Sequence, residues 1–94
     1  MRRPSEAASV VAVVPAMKKF KPELVMISAG FDSREGDPLG KFTLTDADFV
    51  ELTKMMLDLA KEFANGKLIS VLEGGYSLEG LANAAGAHVK TLAT

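Results

Sequence analysis

The chain has 94 residues, 48% hydrophobic and 24% charged, which is the balance of a folded domain and not of a disordered segment. Eleven basic and twelve acidic side chains leave a formal charge of −1, so no electrostatic footprint for nucleic acid or an anionic membrane follows. The absence of cysteine excludes disulfides, thiolate metal sites and cysteine nucleophiles, and the single histidine excludes a histidine pair within these residues.

Met1-Arg2-Arg3 ahead of the apolar run 7–17 has the outline of a secretory signal. Glu6 and Pro15 interrupt it, and Lys18, Lys19 and Lys21 stand where small residues would mark cleavage. The run is also shorter than the ~20 residues that span a bilayer. The expectation is an intracellular, cytoplasmic chain that opens with a core-facing helix over 5–20, kinked at Pro15.

Lys21-Pro22 ends that helix, because the residue before proline avoids helical dihedrals. The apolar run 24–27 predicts a strand buried on both faces, as in a parallel sheet. Residues 30–43 then form a glycine-rich, charged loop long enough to be functional. Thr45 opens a second helix with Asp48 as its capping-box partner. Phe49, Leu52, Met56, Leu59, Ala60 and Phe63 fall on one face, and Asn65-Gly66 stops it.

A second buried strand is expected over 68–72, followed by the tight turn Glu73-Gly74-Gly75-Tyr76. A third helix starts at Ser77, its apolar stripe made by Leu78, Leu81, Ala82, Ala85, Val89 and Leu92. Two apolar strands joined by a helix imply an α/β fold with parallel pairing and a right-handed crossover. Two strands make a thin core, so the sheet should be wider than this chain provides and the chain alone marginally stable.

Ligands of parallel α/β sheets bind beyond the carboxyl ends of the strands. Both loops that carry candidate chemistry leave from those ends. Asp37, bent between Gly36 and Pro38, has two roles open to it: a ligand for a divalent cation, or a turn aspartate bonding its own backbone. Asp32 is expected to anchor the loop by accepting backbone N–H groups, and Arg34 with Glu35 reads as a solvated pair. Tyr76 is either a phenol donating to a developing oxyanion or an amphipathic ring with a wetted hydroxyl. Gly74-Gly75 before a helix suits a phosphate, though no GxGxxG or Walker pattern accompanies it. His88 reads as a surface or half-buried residue without a catalytic role.

The strings Ser28-Ala29-Gly30-Phe31-Asp32, Gly36-Asp37-Pro38-Leu39-Gly40 and Leu72-Glu73-Gly74-Gly75-Tyr76 occur in that order. Together they resemble the C-terminal part of the zinc-dependent histone deacetylase superfamily, and the Glu-Gly-Gly-Tyr form looks closest to class II and bacterial deacetylase-like proteins. The resemblance covers nearly the whole chain. It implies part of a three-layer α/β/α arginase/deacetylase-like fold, with 1–94 as the C-terminal fragment of a catalytic domain. By the same resemblance Asp37 is a zinc ligand and Tyr76 stabilises the tetrahedral intermediate of amide hydrolysis. Gly74 and Gly75 line the channel for the acyl-lysine stem. Leu44 sits near its mouth, where a leucine favours acetyl-lysine over acetylated polyamines.

The family's remaining zinc ligands, an aspartate and a histidine, and its paired catalytic histidines are expected from sequence preceding Met1. The implied partners are therefore that N-terminal part or a complementing chain, together with an acetylated lysine or acetylated amine. Alone, the chain should not turn over substrate, since a catalytic zinc site wants three protein ligands. Two other readings stand beside this one. The chain is a non-enzymatic module that binds a partner through an exposed sheet edge, or a phosphate-binding half-domain built on Gly74-Gly75.

Overall fold

The computed structural model describes residues 13–40 and 42–94. The described elements are α1 (Val14–Phe20), β1 (Val25–Ala29), α2 (Asp46–Phe63), β2 (Leu68–Leu72) and α3 (Leu78–Leu92). β1 and β2 pair in parallel, with Val25 opposite Leu68 and Ala29 opposite Leu72, and α2 is the crossover between them. This is the expected α/β arrangement, a parallel sheet flanked by helices.

Each boundary has a local cause. Pro15 lies in the first turn of α1, where a missing N–H costs nothing. The expected kink and the first part of the expected helix, 5–12, lie outside the described residues. Lys21 closes α1 in the left-handed region at φ 59°, its N–H bonded to Met17 O at 2.8 Å. Thr45 caps α2 in a reciprocal box: Asp48 N–H donates to Thr45 Oγ1, while Thr45 N–H and Oγ1–H both donate to Asp48 Oδ2. At the other end Asn65 and Gly66 take positive φ, and Gly66 N–H reaches back to Ala60 O.

α2 and α3 cover the sheet face that carries Ile27, Ala29 and Ser70. The core there is Ala29, Phe31, Phe49 and Ala84, with Ile27, Leu44, Leu81 and Ala85 packed against it. The Phe31 and Phe49 rings meet tilted at 5.2 Å, a favoured aromatic geometry. The opposite face is open: Met26, Ile69 and Val71 are 63%, 47% and 49% exposed. Strands expected to be buried on both faces are therefore covered on one, because side chains alternate along a strand and the described helices sit on a single side.

α3 is rotated from its expected orientation. Its buried residues are Gly80, Ala84, His88 and Thr91, whereas Leu78 and Val89 point outward. Small residues let α3 approach closely, and the two polar ones are satisfied: Thr91 Oγ1–H donates to Ala87 O of its own helix at 2.8 Å, and His88 bonds across the interface. Thr53 Oγ1–H donates to Phe49 O at 2.6 Å, which leaves its lone pairs facing His88 Nδ1 at 2.7 Å. The proton thus belongs on Nδ1, and Nε2 accepts from Ser70 Oγ–H at 2.8 Å. His88 joins α2, α3 and β2, with its ring edge-on to Phe31 at 5.6 Å. It is buried, contrary to the sequence expectation.

Burial alone holds the His88 pKa below its ordinary 6.5. Below pH 6.5 the unfolded chain takes up a proton that the folded chain resists, so stability is lost as the pH falls from there. Urea midpoints measured between pH 8 and pH 5 should drop on acidification. In His88→Gln the decline over the histidine range should be shallower.

Candidate functional site

Past their carboxyl ends the two strands stay zipped together. Glu73 N–H donates to Ala29 O at 3.0 Å, and Phe31 N–H donates to Gly74 O at 2.8 Å. The loop after β1 and the turn after β2 are thereby held side by side. Asp37 spans the gap between them. Its Oδ1 accepts from Leu39 N–H at 2.9 Å and Gly40 N–H at 3.0 Å, and its Oδ2 accepts from Tyr76 N–H at 2.8 Å. Asp37 is therefore a turn aspartate and also a cross-link to the second motif, at 39 positions' remove.

Desolvation pushes the Asp37 carboxyl upward, but the backbone N–H groups of Gly40, Tyr76, Leu39 and Ser77 together outweigh it and hold it below the ordinary range. The group is an anion already fixed in place.

Two glycines make this approach possible. A Cβ on Gly40 would stand 1.6 Å from the Asp32 carbonyl oxygen. Gly75 has φ 142°, and a Cβ there would meet Leu81 Cδ1 at 2.7 Å. Gly74 is close-packed too, against the Asp32 carboxylate. Among the described residues no N–H donates to that carboxylate, so Asp32 fills the space over Gly74 and does not cap the loop.

Tyr76 has its N–H tied to Asp37 while its side chain stands 53% exposed at the rim. Leu44 is partly buried against the Phe31–Phe49 cluster and forms an isolated parallel bridge with Arg34. The structure thus brings Asp37, Gly74, Gly75 and Tyr76 together, and sets Leu44 into the core beneath the loop.

Arg34 does not form a solvated pair with Glu35. It makes a forked ion pair with Asp46, Nε to Oδ1 at 2.8 Å and Nη2 to Oδ2 at 3.2 Å, and touches Glu35 only at its backbone oxygen. No periodicity links positions 34 and 46. The one available signal was an acid at the first helical position after the Thr45 cap, where the helix dipole favours it.

Among the described residues no group of three or more His, Asp or Glu side chains is placed to hold a metal. Asp37 suits one ligand position, and this chain's own described residues do not complete a catalytic zinc centre. A cleft of about 190 Å³ lies between β1 and α2, lined by Ile27, Phe31, Leu44, Met56 and His88 among others. It is apolar, and its only imidazole is committed to Thr53 and Ser70. Asp37 and Tyr76 lie outside it, so the strand-end rim is the candidate site.

Residues 5–92 match the family described as "Histone deacetylase domain". Type-2 histone deacetylase 2 of Dictyostelium discoideum is 37% identical over 83 residues, covering 85% of this chain and 5% of that protein. Polyamine deacetylase HDAC10 of Homo sapiens is 44% identical over 86 residues, covering 92% of this chain and 12% of that protein. The solved structure of the HDA15 HD domain superposes with a TM-score of 0.83 at 40% identity, over 92% of this chain and 23% of that one. The chain thus spans a minor part of the length of the relatives it matches.

Proposed function

The chain belongs to the histone deacetylase domain family, and from that premise we propose that it supplies one wall of a zinc-dependent amidohydrolase site. The reaction is removal of an acetyl group from acetyl-lysine or a similar acetylated amine. The observation that carries this reading is the 2.8 Å bond from Tyr76 N–H to Asp37 Oδ2, which couples the two motifs at one sheet rim. We assign the chain to the C-terminal part of a class II or bacterial-type catalytic domain.

Asp37 offers its fixed anionic oxygen as one metal ligand, and the other ligands and the histidine base come from outside these residues. A bound zinc ion supplies Lewis-acid polarisation of the acyl carbonyl. Tyr76 presents its hydroxyl, unencumbered by packing, to the oxygen that gains charge during hydrolysis. Gly74 and Gly75, without side chains, line the passage for the amine stem. Leu44 acts from below by fixing the loop near its mouth. The relatives include histone deacetylases and a polyamine deacetylase, and both share the acetylated primary amine as the common chemistry.

The test is a chimera in which this chain replaces the matching segment of the Dictyostelium enzyme. The chimera should deacetylate an acetyl-lysine peptide or an acetylated polyamine, and the chain alone should release no acetate. An inactive but folded and metal-loaded chimera would sink the reading. The open face of Met26, Ile69 and Val71 supports a second reading, a module that docks a partner without catalysis. That reading requires a defined complex whose formation is indifferent to zinc.

A further inference from the structure

Arg34 touches the Asp37 loop and the first turns of α2 and α3. Its backbone carbonyl accepts Asp37 N–H at 3.3 Å, and the adjacent Glu35 N–H donates to Leu44 O at 2.8 Å. Its guanidinium is forked onto Asp46 in the first turn of α2. Nη1 also lies 3.1 Å, and Cδ 3.2 Å, from where a Cβ on Gly80 would stand. Gly80 is in the first turn of α3, four residues past Tyr76, and its N–H donates to the Ser77 cap. One planar group therefore lies across the starts of both helices and beneath the Asp37 loop.

The Arg34 and Asp46 side chains are 20% and 39% exposed, so solvent screens the pair in part. What a two-bond fork does fix is orientation, which a point charge does not. We propose that Arg34 is a positioning residue that holds the Asp37 loop in register with the Tyr76 turn, a role that rests on the deacetylase-site reading above.

The test is residue-resolved amide hydrogen exchange on this chain, with Arg34→Ala, Arg34→Lys and Asp46→Asn. The probes are the three amides that donate to Asp37: Leu39, Gly40 and Tyr76. All three variants should speed exchange there by about tenfold while internal amides of α2 and α3 keep their rates. The melting temperature should move by no more than about 3 °C. Unchanged exchange at the three amides overturns the proposal. So does acceleration spread evenly over the helices, or unfolding of Arg34→Ala, since either makes the residue structural. Full protection in Arg34→Lys overturns the orienting role as well, because a point charge would then suffice. The exchange experiment needs no metal or substrate, so it can fail while the chimera hydrolyses, and succeed while the chimera does not.

Discussion

Gly40→Ala should cost about 3 kcal/mol of folding stability, at the upper end of what overpacking a filled site brings. The added carbon would lie 1.6 Å from the Asp32 carbonyl oxygen, a backbone atom with no rotamer to escape into. Relief requires the loop to move off Asp32, and Gly40 N–H is one of the two donors to Asp37 Oδ1. The Asp37 carboxylate should therefore lose its fixed orientation together with the stability. Urea unfolding measures the first effect, and exchange at the Leu39 and Tyr76 amides measures the second. Gly86→Ala is the control. Gly86 is inside α3 with nothing within 4 Å of the added carbon, so helix propensity should make that variant more stable by about 0.5–1 kcal/mol.

Tyr76→Phe should separate stability from activity. The ring is half exposed, and the residue is held by its main-chain N–H, which phenylalanine keeps. The unfolding free energy of the chain in urea should therefore move by no more than about 0.5 kcal/mol, as for other surface changes. In the chimera, kcat should fall by about 10²–10³, the loss that follows removal of one oxyanion donor. KM should change little, because the hydroxyl acts on charge that develops after binding. Unchanged kcat in this variant would remove Tyr76 from the chemistry and leave it a rim residue.

The elements were readable where a local rule acts alone. The Thr45–Asp48 box fixed the start of α2, the Asn65-Gly66 pair its end, and the apolar run 68–72 the whole of β2. β1 was expected a residue early and ends two residues later than its apolar core, because Ser28 and Ala29 continue the ladder with Val71 and Leu72. On α3 helical periodicity holds only in part: Leu81 and Ala85 pack against the core as expected. It marked Leu78 and Val89 as core, whereas the buried face is built from Gly80, Ala84, His88 and Thr91. That face is cheap to bury because its polar side chains are satisfied: His88 by Thr53 and Ser70, and Thr91 by Ala87 O. A hydrophobicity pattern has no access to such pairing.

At the site, the motifs pointed to Asp37 and Tyr76, and their mutual bond followed only once the parallel register set the two loops abreast. Arg34, Asp46 and Gly80 were not legible, because their association depends on where three separate chain segments converge. The exposed leucine and valine of α3 and the open sheet face of Met26 and Ile69 share one physical explanation. They are apolar surface that no described element covers, and the chain spans 5% of the Dictyostelium relative and 23% of the HDA15 domain.

No described helix is long and apolar enough to cross a membrane. The most direct measurement is a zinc titration by calorimetry on the chain, on the chimera and on the chimera carrying Asp37→Ala. The chain alone should show no stoichiometric zinc site, the chimera should bind one equivalent, and Asp37→Ala should abolish that binding while the protein stays folded. A chimera that keeps its full equivalent of zinc after Asp37→Ala would contradict a ligand role for Asp37.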